Sequence, residues 1–299
     1  MGILFSSKSS AAVSTSSWTA EGMNVLITGA SSGIGSELAR TFSREGASIA
    51  LVARSKDKLL QVAKECKELG ATRTEIFLCD MTDDSQIKKA IVDEALEQFG
   101  RFDVVILNAG RSQGCYFEEI NDVDSINYML KLNVNGVITT LYHLLPSVPK
   151  SSSSRIVVIS SVSGLIPVPY RTIYCASKHA LNGFANALRL ELNDTYGNDA
   201  PAIQVINFPE VQGTDLNSGR MDFGADVPPV EFITKNVVAV EKACSLLMME
   251  IAEGTREWGQ PLKVKMLLPL WGFVPSFIDR MIMKTVKKTH FRPNILVRD

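Results

Sequence analysis

Short runs of apolar, largely β-branched residues alternate along this chain with longer stretches whose apolar positions recur every three or four residues. The runs fall at 24–28, 48–53, 75–79, 103–107, 155–160, 203–208 and 263–268, each of strand length. Between them the spacing predicts helices over about 34–46, 56–69, 84–99, 122–147, 173–195 and 230–253. Val104-Val105-Ile106-Leu107 shows no polar alternation, which suits a parallel strand covered on both faces. Alternating strands and helices predict a doubly wound α/β domain: a seven-stranded parallel sheet with helices on both sides. In that architecture functional groups gather outside the carboxyl ends of the strands.

Composition narrows the picture in four ways. With 299 residues and 45% hydrophobic content the chain can bury a large core, and no internal linker or repeat divides it. One domain is therefore expected over 23–270, preceded by a Ser-rich tail (1–22) and followed by an apolar and basic extension (271–299). A net charge of −1 offers no electrostatic footing for nucleic acid. Five cysteines, odd in number and without a C-x-x-C pair, read as reduced thiols in a cytoplasmic setting. His143, His179 and His290 have no ligand spacing, so no metal site is expected.

Two stretches carry chemistry. Thr28-Gly29-Ala30-Ser31-Ser32-Gly33-Ile34-Gly35 follows the first strand and opens the first helix. Glycines there let the backbone turn and approach a phosphate at the helix N-terminus, where unpaired N–H groups favour an anion. The second stretch sets Ser161 at a strand end, Tyr174 thirteen residues on, and Lys178 one helical turn later. Tyrosine and lysine at i and i+4 share a helix face, and an ammonium beside a phenol favours the phenolate. Together with a serine to orient a carbonyl oxygen, this is a general acid/base set.

With Asn108-Ala109-Gly110 after the fourth strand, these motifs resemble the short-chain dehydrogenase/reductase family over roughly residues 23–270. Ala53-Arg54-Ser55-Lys56, Tyr174-Cys175-Ala176-Ser177-Lys178 and the apolar carboxyl-terminal segment are further similar to its 11-beta-hydroxysteroid dehydrogenase-like branch. The resemblance implies a Rossmann-type fold, a nicotinamide cofactor, and a homodimer or homotetramer. It also implies roles. Tyr174 exchanges the proton, Ser161 rather than Ser160 holds the substrate oxygen, and Lys178 lowers the tyrosine pKa and holds the nicotinamide ribose. Asn133 supports a water-linked proton path, with Asn135 as its rival. Gly29, Ser31, Ser32, Gly33, Ile34 and Gly35 would cradle the cofactor, joined by Asn108, Ala109 and Gly110 and, further along, by Thr214. Asp80 and Met81 would meet the adenine, although Asp80 could instead cap a helix.

Cofactor choice is read at the end of the second strand. An NAD enzyme places a carboxylate there, whereas this chain has Ala53 followed by Arg54, Ser55 and Lys56, which suits the 2′-phosphate of NADP(H). The chain departs from the family after the sixth strand, where Pro209 is followed by Glu210 and the glycine comes only at Gly213. The segment 211–232 reads as a lid, and Ile166, Pro167, Val168 and Tyr170 are expected near the pocket. These residues suggest an apolar carbonyl or alcohol: a steroid, retinoid, lipid or xenobiotic ketone. A 3-ketosphinganine-type reductase and a non-catalytic NADP-binding regulator are the competing readings.

Both ends suggest a peripheral contact with the cytosolic face of a membrane. Met1-Gly2-Ile3-Leu4-Phe5-Ser6 fits the N-myristoylation pattern, with Gly2 as acceptor. The apolar stretch 266–278 is too short to span a bilayer, and Arg280, Lys284, Lys287, Lys288 and Arg292 follow it. A dimer contact or a cap over the pocket would use the same residues.

Overall fold

Seven parallel strands form one sheet, as the pattern predicts, but the seventh lies elsewhere in the chain. The computed structural model describes residues 18–214, 231–232, 238–259, 268–269 and 273–291. In chain order the main elements are β1 (Asn24–Thr28), α1 (Gly33–Arg44), β2 (Ser48–Ala53), α2 (Lys56–Glu68) and β3 (Arg73–Leu78). Helix α3 runs from Asp84 to Phe99 through a π-helical stretch at Lys89–Leu96, and β4 is Val104–Leu107. Helix α4 runs from Val123 to Leu144 through a π-turn at Lys131–Asn135. Then come β5 (Arg155–Ser161), α5 (Thr172–Tyr196), β6 (Ala202–Phe208), α6 (Val240–Glu253), β7 (Glu257–Trp258) and α7 (Pro275–Thr289).

The strand order is β7-β6-β5-β4-β1-β2-β3. Every neighbour in it is parallel. Chain direction across the sheet reverses between β1 and β4, whose register pairs Val25 with Val104 and Ile27 with Ile106. A crevice opens at that reversal, beyond the strands' carboxyl ends. β2 and β4 are buried along their whole length, and two apolar clusters fill the layers above and below the sheet. Their unbroken apolar sequence follows from that double cover.

Three expectations need correction. Most of the strand expected at 263–268 lies outside the described residues, and β7 is instead Glu257–Trp258, paired with Val205 and Ile206. Two residues suffice because Trp258 packs edge-on against Phe208, ring centroids 5.5 Å apart. The helix expected from 230 begins only at Val240. Before it, Val238–Ala239 pairs as a short parallel strand with Val211–Gln212, and Glu231–Phe232 pairs with His290–Phe291. β-branched Val238 favours extended backbone where a strand partner is present. Helix α4 stops at Leu144, short of the expected 147.

The Gly2 motif and residues 215–230 of the expected lid lie outside the described residues. No helix among the described residues is long and apolar enough to cross a membrane. Helix α7 buries Ile278 and leaves Phe277 exposed, with Phe273 exposed just before it.

Candidate active site

The glycine loop is locked from the fourth strand. The Thr28 hydroxyl accepts from the backbone N–H groups of Asn108 (3.0 Å) and Ala109 (3.1 Å). In return the Asn108 amide donates to the carbonyls of Thr28 (3.0 Å) and Gly29 (3.2 Å). This close fit needs glycine. A Cβ on Gly29 would meet the Asn108 amide at 2.9 Å, at a φ of +65° that side chains avoid, and one on Gly35 would run into the Gly29 carbonyl. Ser32 precedes α1 in extended conformation and makes no side-chain cap, so the helix terminus faces the crevice ready for an anion. Thr214 closes the loop from the far side, since a Cβ on Gly33 would lie 3.3 Å from its own Cβ.

A single cavity of about 700 Å³ joins this cradle to the Ser161, Tyr174 and Lys178 side chains. Its wall takes in Gly29, Ser31, Ser32, Gly33 and Ile34 from the loop, and Arg54, Ser55 and Met81 from the second and third strand ends. Asn108, Ala109, Gly110 and Thr214 complete the set the sequence predicted. Two of the expected cofactor contacts stand behind the wall. Gly35 supports the loop from within α1. Asp80 accepts from the backbone and hydroxyl of Thr82 (2.9 and 2.8 Å) and lies 3.6 Å from the Arg54 guanidinium. The helix cap is its neighbour Asp83, which accepts from Ser85 and Gln86. Of the four residues expected near the pocket, Val168 is in the wall; Tyr170 turns its hydroxyl to that of Tyr116, 3.3 Å away.

Tyr174 is 2% exposed, and the Ser161 hydroxyl beside it draws its pKa down. Ser161 ends β5 and accepts from the Ser163 N–H (3.1 Å). Ser160 also reaches the wall, but its hydroxyl turns toward the Lys178 carbonyl (3.5 Å). The start of α5 is held by Gln113, whose side-chain oxygen accepts from Ile173 N–H (2.8 Å) while its amide donates to the Thr172 hydroxyl (3.3 Å). Asn133 is fully buried: its oxygen accepts from Arg111 N–H (2.8 Å), and its amide donates to the Arg111 carbonyl (2.9 Å) and the Ser177 hydroxyl (3.1 Å). Asn135 points to solvent. A Cβ on Gly110 would come within 3.1 Å of the Asn133 oxygen and 3.7 Å of Lys178 Nζ, so the two side chains meet across that glycine.

One electrostatic expectation changes. The Lys178 ammonium lies 5.7 Å from the Tyr174 ring centroid but donates to the Ile159 carbonyl (2.9 Å), and burial pushes its pKa down to about 8. Burial pushes the Tyr174 phenol up. The opposing pull comes from the Arg171 cation and the Ser161 hydrogen bond. Arg171, Glu210, Arg111 and Lys58 are wall residues to which the sequence reading gave no role. Gln113 and Ser177 were missed as well, because the partners that give them a role, Thr172 and Ile173 for the one and Asn133 for the other, lie far off in the chain.

Burial of Lys178 has a measurable consequence. Between about pH 8 and its ordinary pKa of 10.5 the folded protein binds fewer protons than the unfolded chain. Stability therefore rises with pH across that window, and below it the buried ammonium exacts its full cost. Lys178→Met is expected to raise the urea midpoint of the cofactor-free protein at pH 7 and to flatten this rise. A lower midpoint at pH 7 would contradict the account.

Residues 23–218 match the short chain dehydrogenase family. An 11-beta-hydroxysteroid dehydrogenase-like 3 protein of Arabidopsis thaliana is 34% identical over 258 residues, covering 85% of this chain and 78% of its own. The Homo sapiens dehydrogenase/reductase SDR family member 7 is 38% identical over 277 residues, covering 91% and 80%. Among solved structures, a short chain dehydrogenase/reductase from Burkholderia phymatum in complex with NAD shares the fold (TM-score 0.70, 22% identity, 81% and 89% covered). An alcohol dehydrogenase from Thermococcus sibiricus complexed with 5-hydroxy-NADP superposes with TM-score 0.64 at 26% identity, covering 77% and 90%. Since the family match spans residues 23–218 and relatives 34 and 38% identical are covered over most of both chains, the chain belongs to the short-chain dehydrogenase/reductase family of oxidoreductases.

Proposed function

We propose that this enzyme uses NADP(H) to interconvert a carbonyl and a secondary alcohol on an apolar substrate. The observation that carries the reading is one cavity joining a glycine cradle to a buried Tyr174–Ser161 pair. The residues present fit a dinucleotide: Gly29 and Gly35 let the loop fold tightly against Asn108 without a side chain in the way, and Ser32 leaves the α1 terminus uncapped by its side chain. When bound, the cofactor supplies or accepts the hydride. The protein's own part is the proton. Tyr174 gives its hydroxyl proton to the substrate oxygen in reduction and takes it in oxidation. Ser161 orients that oxygen, while Asn133 holds the Arg111 backbone and meets Lys178, the group that re-protonates the tyrosine, across Gly110.

NADP(H) is favoured over NAD(H) by the end of β2. Ala53 stands where a carboxylate would be needed, and Arg54, Ser55 and Lys58 line the cavity beyond it. Ser55 precedes α2 without capping it by its side chain, leaving that helix terminus to a phosphate. The test is a panel of steroid, retinoid and long-chain ketones, followed by NADPH absorbance. Reduction of apolar ketones with NADPH preferred over NADH is expected; no turnover of any ketone or of its alcohol would refute the reading.

Helix α7 supports a second proposal, of peripheral membrane contact. Phe277, Arg280 and Lys284 are all exposed and recur at helical spacing, and none of the helix's described residues lies in the cavity wall. Full-length protein should sediment with phosphatidylserine vesicles at low salt and lose part of that binding at high salt. Equal recovery with neutral vesicles would show that the basic residues are not engaged.

A further inference from the structure

The site contains a second cation beside the tyrosine. Arg171 stands at the amino-terminal boundary of α5, one turn before Tyr174, and directly follows Tyr170, a bulky residue held at φ +67°. Backbone of that kind is uncommon outside glycine and fixes where the next side chain goes. The guanidinium carbon lies 5.9 Å from the Tyr174 ring centroid, as close as the Lys178 ammonium at 5.7 Å. The two cations are engaged differently. Lys178 donates to the Ile159 carbonyl, whereas Arg171 feels Glu210, which enters the cavity wall from the segment after β6.

We propose that Arg171 is a positioning cation that sets the proton affinity of the Tyr174 hydroxyl, and that Glu210 restrains it. The other groups around the tyrosine do not supply this charge. Ser161 at the end of β5 gives a neutral hydrogen bond. Cys115, from the segment after β4, and Met129 of α4 pack against the ring as small apolar bodies. Cys175 on the same helix is kept neutral by burial, and burial lets Lys178 lose its charge above about pH 8. An arginine does not lose its charge in the working pH range, so it can favour the phenolate where the buried lysine no longer does. Glu210 draws the guanidinium's field the other way. The pair thus works as an adjustable bias on one hydroxyl.

The proposal rests on the proposed reaction only for its catalytic consequence, because the ionisation can be read directly. Near-ultraviolet tyrosinate absorbance of the full-length chain is titrated with and without NADP⁺, and Tyr174→Phe in each background is subtracted to isolate this residue. Arg171→Met should raise the Tyr174 midpoint by about one pH unit, the scale of a unit charge near 6 Å after partial offset by Glu210. Arg171→Lys should restore most of it, and Glu210→Gln should lower it. An unmoved midpoint in Arg171→Met with native circular dichroism overturns the proposal. If that variant does not fold, Glu210→Gln decides: a midpoint that stays or rises overturns it. Failure of the ketone panel would leave this titration untouched, so the two readings fail separately.

Discussion

Tyr174→Phe is expected to cut turnover by about 10²–10⁴-fold while NADPH binding and the fold persist. The substitution removes one oxygen and keeps the ring that packs against Cys115 and Met129. Lys178 keeps its bond to Ile159, and Ser161 keeps its backbone donor at Ser163. Only the proton-transfer hydroxyl is lost, at about 1 kcal/mol of stability or less. The measurements are kcat by NADPH absorbance, NADPH affinity by fluorescence quenching, and Tm. A variant retaining more than a tenth of wild-type kcat would remove Tyr174 from the mechanism.

Arg54→Asp is expected to turn cofactor preference toward NADH, with the NADPH-to-NADH ratio of kcat/KM falling by about 10²-fold or more. Arg54 is half exposed, donates to the Tyr128 hydroxyl (2.9 Å) and sits beside Asp80. Aspartate there would add a second negative charge next to Asp80, so repulsion of a 2′-phosphate joins the loss of its partner. Lys58, in the same wall, retains part of the phosphate affinity, and Arg54→Asp with Lys58→Ala should complete the switch. A ratio unchanged in the double variant would mean that the end of β2 does not read the ribose.

The parts of this molecule legible in sequence are those whose physics is local. Val104–Leu107 reads as a covered strand because all four side chains are buried, and the glycine loop reads as a cradle because turn and close approach need no Cβ. β7 was illegible because its two residues are held by Trp258 packing on Phe208, a contact with another strand. Arg171 and Glu210 lie 39 positions apart and share a wall only after β6 is laid beside β5, and no spacing rule connects them. Asn133 was preferred to Asn135 on the family motif, and residues two apart on a helix face opposite ways, in keeping with the exposure of Asn135; what no periodicity foretold is that Asn133 sits in a π-turn.

That turn also limits how the chain can change in length. It gives α4 a wider turn than an α-helix of the same residues, and Gly136 just after it lies against the Met81 carbonyl, where a side chain does not fit. Inserting a residue just after Gly136, in ordinary helix with no spare turn to absorb it, would swing everything beyond it by about 100°. Val137, Leu141 and Leu144 would leave the core, and solvent-facing Tyr142 would be driven toward it. Natural variants that shorten or lengthen this protein should therefore accumulate in its surface connections and leave α4 at constant length, although almost no residue of that helix meets the reacting atoms.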